Sequence, residues 1–122
     1  MSALIRGLVI PERSDLEPFV MGFPTKLLGN LNLEALYQVI GCELVEPIYP
    51  VNPVLSACVM YGDEMGRYRE GAMNNPRATH LFGFPYYIVG TVVVFGDDPR
   101  LGKSLDVGDD IVNHPTMKGI FR

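Results

Sequence analysis

The stretch from Tyr86 to Phe95, YYIVGTVVVF, restricts the fold of this 122-residue chain more than any other feature. Both of its alternating sets are largely apolar: Tyr86, Ile88, Val92 and Val94 on one side, Tyr87, Val89, Val93 and Phe95 on the other. Successive side chains of a strand point to opposite faces. A strand apolar on both faces must therefore be covered on both. This predicts a central strand, shielded on each side by the rest of the chain or by a partner subunit. Gly90 in its middle marks a bulge or a close backbone approach, and Gly96-Asp97-Asp98-Pro99 ends it.

The elements around it are short. Ala3 to Ile10 reads as a first strand, stopped by Pro11, with Arg6 facing outward. Residues 11 to 32, punctuated by prolines, glycines and asparagines, read as irregular. Leu33, Leu36, Tyr37 and Ile40 recur at the spacing of one helix face. Asn32 is placed to cap that helix, Glu34 suits its first turn, and Gly41 suits its end. Cys42 to Tyr49 reads as a short strand held to an edge or bulge by Pro47. A turn over Val51 to Pro53 leads to a strand over Val54 to Tyr61, and Gly62 to Gly66 is a polar turn. Arg67 to Met73 is either a short outer strand or a loop. Asn75-Pro76 opens a second helix as cap and first residue, and Gly83 and Pro85 close it. Past residue 100 the pattern weakens, with one short helix expected between Asp106 and Asn113.

Composition narrows the class. Hydrophobic residues are 48% and charged residues 20% of the chain, a soluble globular balance. The net charge of −4 argues against an extended nucleic-acid footprint, which is usually basic. Cys42 and Cys58 lie in apolar runs and read as reduced core thiols. The opening MSALIRGLVIPERSD lacks the long apolar core of a secretion signal. The longest apolar stretch falls well short of the about 20 residues a membrane helix needs. The expectation is a single α+β domain over residues 1–122, cytoplasmic in a bacterial cell. Its sheet, mixed but mostly antiparallel, would have four to five strands and carry two short helices. Residues 97–122 would form a tail, either flexible or docked on a partner, and a homodimer is expected.

Candidate chemistry is sparse. Asn74, Asn75, Arg77, Thr79 and His80 are the most polar cluster beside an apolar frame. A helix N-terminus offers free N–H groups, and Arg77 would add a bidentate fork for a phosphate. The plainer alternative is helix capping with Arg77 solvated. Tyr61, Tyr68, Tyr86 and Tyr87, with Arg67 and Arg69, would suit a planar ligand, or simply form a sheet face with an amphipathic rim. Asp63 and Glu64 would serve acid–base work if they converged on His80, although neighbours in a turn usually face solvent. No spacing of His80, His114, Cys42, Cys58 and Asp109 fits a known metal site. Neither Ser56 nor Ser104 sits in a nucleophile-elbow pattern. The ligand-binding set expected is Asn75, Arg77, His80 and Tyr61, with no catalytic residue, no metal and no cofactor.

Three stretches together resemble the DUF3846 family. Leu36 to Glu46, LYQVIGCELVE, is similar to that family's helix ending in a Gly-Gly step, followed by a strand that carries an acid. Gly41 keeps the first glycine, Cys42 replaces the second, and Tyr37 stands at the expected glutamine place, with Gln38 beside it. Asp63-Glu64-Met65-Gly66, followed by Asn75-Pro76-Arg77-Ala78-Thr79, resembles the family's acidic turn and N-x-x-A-T motif. Ile88 to Gly96, IVGTVVVFG, resembles its strand. The likeness covers residues 36 to 96 and rests on the order and spacing of the three. It implies a setting in phages and mobile elements and no particular activity. From that setting comes the expectation of a non-enzymatic accessory protein, countering host defence by binding a host protein or a nucleotide-like small molecule. The alternatives are a small hydrolase using Asp63, Glu64 and His80, or an acidic nucleic-acid mimic.

Overall fold

The computed structural model describes residues 4–26, 30–51, 57–83, 85 and 87–118. Strands β1 (Leu4–Ile10) and β2 (Phe19–Pro24) precede helix α1 (Leu33–Ile40). Strands β3 (Val45–Ile48) and β4 (Cys58–Asp63) follow, then a 3-10 turn (Gly66–Tyr68) and helix α2 (Pro76–Phe82). Strands β5 (Val92–Asp98) and β6 (Lys103–Leu105), the short helix α3 (Asp109–Val112) and a last 3-10 turn (Pro115–Lys118) complete the order. The fold is α+β. Its sheet is antiparallel throughout, in the order β2-β1-β5-β4-β3, with β6 paired to the far half of β5.

The two main helices form where their caps predict. Asn32 accepts from the Glu34 N–H at 3.0 Å, and Gly41 closes α1 in the left-handed conformation. Asn75 accepts from the Ala78 N–H at 3.1 Å, Pro76 opens α2, and Gly83 closes it. Each helix is short and depends on packing for its existence. That packing comes from the doubly apolar strand. Val92 and Val94 face a cluster with Leu8, Ile10 and Met60, roofed by Leu81 and Phe82 of α2 and Ile111 of α3. Val93 and Phe95 face the opposite cluster, with Val9, Phe23 and Val59, roofed by Leu36 of α1. The central strand is thus covered on both faces by its own chain. Phe95 makes edge contacts with Phe23 and Tyr61 at centroid distances of 5.2 and 6.0 Å.

Two expectations need correction. The central strand spans Val92–Asp98, not Tyr86–Phe95. Gly90 takes a φ of 86°, outside the extended region of a regular strand. The backbone before it bonds elsewhere: the Ile88 C=O accepts from the Asn75 N–H at 2.7 Å, and the Gly90 N–H donates to the Met73 C=O at 2.9 Å. Tyr86 lies outside the described residues. Beyond Phe95 the strand continues because β6 doubles back on it, so close that a Cβ on Gly96 would stand 2.5 Å from the Asp106 carbonyl oxygen. The second correction concerns residues 11 to 32, which contain β2. Its prolines and glycines read as loop, yet Phe19–Pro24 pairs along β1 and buries Phe23.

Elsewhere the reading needs only adjustment. The strand read over Val54 to Tyr61 appears as Cys58–Asp63, and residues 52–56 lie outside the described set. Residues 67 to 73 are a 3-10 turn and loop rather than a strand. The stretch after residue 97 joins the sheet through β6 and sends Val107 and Ile111 into the core.

Candidate functional site

The polar cluster at the start of α2 is built into the fold. The Asn75 side chain is fully buried and uses its amide nitrogen to donate to the Ile10 C=O at 3.0 Å and the Gly90 C=O at 2.9 Å. Thr79 donates to the Asn75 C=O and accepts from the Ile88 N–H. Arg77 is 2% exposed, not solvated, and its Nη2 donates to the carbonyls of Pro11 (2.9 Å) and Arg13 (3.0 Å). A buried carbonyl left unpaired costs about 1–3 kcal/mol, so these side chains hold residues 10–13 and 88–90 against α2.

The remaining sequence candidates lie apart. His80 projects from α2 toward His114, their ring centroids 6.4 Å apart. Tyr61 sits on the α1 face against Phe95, with its hydroxyl 3.5 Å from Ser104 Oγ. None of the four expected binding residues lines either of the two hollows beside the Gly66–Tyr68 turn. Ser56 lies outside the described residues.

A different region forms a cleft. Strand β4 ends at Asp63, whose Oδ1 accepts from the Met65 N–H at 2.9 Å and whose carboxylate pairs with Arg69. The 3-10 turn that follows presents Arg67 and Tyr68, and Arg67 Nη2 reaches the Tyr87 carbonyl at 3.5 Å. Between this turn, strand β3 and residues 88–89 opens a cleft of about 320 Å³. Ile48, Ile88 and Val89 supply its apolar wall, and Glu46, Glu64, Arg67 and Tyr68 its polar rim. A second hollow of about 180 Å³ adjoins it, sharing Asp63, Gly66 and Val89 and adding Glu12, Arg69 and Thr91. The larger volume falls at the lower end of the range for small-ligand sites.

The electrostatics favour contact over proton transfer. Burial alone would push the Asp63 carboxyl up, but the Arg69 hydrogen bond, the Met65 N–H and the Arg69 charge outweigh it and hold it below its usual range. Asp63 is therefore a fixed anion tied to a cation. His80 faces His114, while Asp63 and Glu64 line the cleft with Arg67 and Tyr68. The Cys58 thiol is pushed up to about 11 by burial and then by Asp110 and Asp97, far from nucleophilic readiness. Among the described residues, no group of three or more His, Cys, Asp or Glu is placed to hold a metal ion. No helix among them is long and apolar enough to cross a membrane.

Sequence reasoning had Arg67, Arg69 and Tyr68 as partners of a planar ligand and Asp63 and Glu64 as a pair. It missed Glu46 and the Ile48–Val89 wall. Only the β3–β4 pairing, Ile48 opposite Met60, brings that strand beside the turn.

One family model matches residues 5–119, and it is described as "Domain of unknown function (DUF3846)". No curated protein and no solved structure matches the chain.

Proposed function

Because the chain belongs to the DUF3846 family, described only as a domain of unknown function, we propose its role from geometry: a non-enzymatic binding protein whose ligand site is the cleft beside the Gly66–Tyr68 turn. One observation carries this reading. Charged side chains of both signs and an exposed tyrosine surround an apolar wall, while the Asp63 carboxylate among them is held by Arg69. Tyr68 is 81% exposed, a large aromatic surface held out to solvent. Aromatic and guanidinium faces recognise planar groups or protein side chains by stacking. A nucleotide-like molecule or a surface of a host protein fits that chemistry. The resemblance to phage and mobile-element proteins supports an accessory role in the bacterial cytoplasm, countering host defence by capture.

The test is native mass spectrometry of the protein purified from bacterial cells, then titration with adenosine monophosphate as a nucleotide probe. The expected result is a non-covalent adduct that Arg67→Gln combined with Tyr68→Ala weakens by roughly tenfold or more, about 1.4 kcal/mol, at unchanged thermal stability. An adduct that persists in the double variant removes the cleft from consideration. An adduct-free wild type moves the small-molecule reading to a protein partner, which a pull-down with the same double variant examines.

A further inference from the structure

The rim of the cleft divides its charges by side. On strand β3, Glu46 stands opposite Gly62 of β4, and the Glu64 N–H donates to the Leu44 C=O at 3.1 Å. Side chains alternate between the two faces of a strand. Glu46 and Gly62 therefore share the face of Ile48 and Met60, and Glu64, one residue past β4, lines the same cleft. Gly62 lies between the two acids with no side chain. A Cβ there would already touch Ile48 Cδ1 and Val92 Cγ1, both at 3.5 Å, so the floor between the carboxylates is apolar. Arg67 enters from the other wall, where its Nη2 reaches the Tyr87 C=O at 3.5 Å, beside Ile88 and Val89.

The acids of the rim differ in what already holds them. Asp63 accepts from Arg69 and from the Met65 N–H. Among the described residues, no cation pairs with Glu46 or Glu64, and both are exposed to water. A flat ligand laid on the Ile48–Val89 wall covers these two carboxylates and strips part of their hydration. A neutral ring returns nothing for that loss. A compact ammonium ion keeps its own tight hydration shell and leaves the apolar wall unmatched. A ring with a delocalised positive charge meets both demands. Its face suits the wall, its charge suits the acids, and Tyr68, 81% exposed, offers an aromatic face that attracts a cation.

We propose that the cleft selects a mononucleotide whose ring carries a positive charge, the class of the oxidised nicotinamide and N7-alkylated purine nucleotides. The proposal rests on the cleft being the ligand site and adds its selectivity. The ring lies on the apolar wall beside Tyr68, with Glu46 and Glu64 at its edge. The phosphate meets the Arg67 guanidinium on the opposite wall, a charge-assisted contact. Charges of both signs on the rim thus match a ligand that is cationic at one end and anionic at the other. Mononucleotides with an uncharged ring keep the Arg67 contact, lose the attraction of the two acids, and bind more weakly.

The test is calorimetric titration of the full chain with three probes: oxidised nicotinamide mononucleotide, its reduced form and adenosine monophosphate. The first two differ only by the hydride that removes the ring charge. The oxidised form is expected to bind roughly tenfold or more tightly than either of the others. Glu46→Gln combined with Glu64→Gln is expected to bring the oxidised and reduced forms together at an unchanged circular dichroism spectrum, and each single variant to narrow the difference in part. Glu17→Gln combined with Glu34→Gln makes the same change in net charge on the loop before β2 and on α1. That variant is expected to keep the preference, since distant charges are screened at physiological salt. A reduced form or adenosine monophosphate that binds as tightly as the oxidised form overturns the proposal and leaves the cleft standing as a binding site. A preference that survives loss of both Glu46 and Glu64, or that vanishes in the Glu17 and Glu34 control, overturns it as well. Failure of all three probes to bind removes the small-molecule reading of the cleft together with the proposal.

Discussion

Asn75 shows how a residue that reads as a binding group becomes a structural one. Its side chain accepts at one end to start α2 and donates at the other to the Ile10 and Gly90 carbonyls. Asn75→Ala removes a buried donor from two carbonyls and an acceptor from one N–H, and is expected to cost about 2–4 kcal/mol, read as a lower urea midpoint. Asn75→Asp keeps the cap but turns the donating end into a carboxylate facing two carbonyl oxygens. It is expected to be worse above the carboxylate pKa than below it, which a pH series of urea melts resolves. Arg77 was hidden from sequence reasoning for a related reason. A charged side chain is almost never fully buried unless it finds partners, and the carbonyls to which its Nη2 donates belong to Pro11 and Arg13, far away in sequence.

Among the elements, those with local signals were legible and those made by pairing were not. Both main helices carry an asparagine cap, a spaced apolar face and a closing glycine within a few residues, so their positions are written locally. Strand β2 has no such signal. Phe19–Pro24 becomes a strand because β1 presents an edge to it. The apolar run before Gly90 shows the converse, with strand-like residues drawn into a loop by bonds to Met73 and Asn75. The cleft inherits this limit, since its wall is assembled from β3 and residues 88–89, which no short motif links. Within the turn itself the Asp63–Arg69 pair gives a pH signature. The Asp63 carboxyl is held below the unfolded value of about 3.9. Its contribution is therefore present above that value and lost as pH falls through the lower folded one. Arg69→Gln is expected to lower the urea midpoint at neutral pH, with the gap from wild type closing as pH drops below about 4.

On the scale of the whole molecule, the family match over residues 5–119 takes in β1, β2 and β6, well outside the stretch from 36 to 96 that carried the resemblance. Strand β1 is legible from its own apolar run, whereas β2 and β6 contribute pairing more than motif, which explains why they were silent in sequence. The centre of the sheet joins distant parts of the chain: Leu8 lies against Val94, and Arg6 is bonded to Asp106, 100 residues away. Closing so long a loop comes before any reward from the contacts it brings. Refolding is therefore expected to be slow for a domain of this size, in the millisecond-to-second range of sheet-rich topologies, as stopped-flow dilution from urea would record. A chain ending at residue 91 would lack β5 and give no cooperative unfolding transition, since a two-stranded hairpin is marginal alone. On the ribosome the same topology becomes a matter of waiting. At about 5–20 residues per second, the first hairpin stands roughly four to fifteen seconds without the strand that completes it, a window in which the uncharged segment of residues 18–25 depends on chaperones or on dilution to stay out of aggregates.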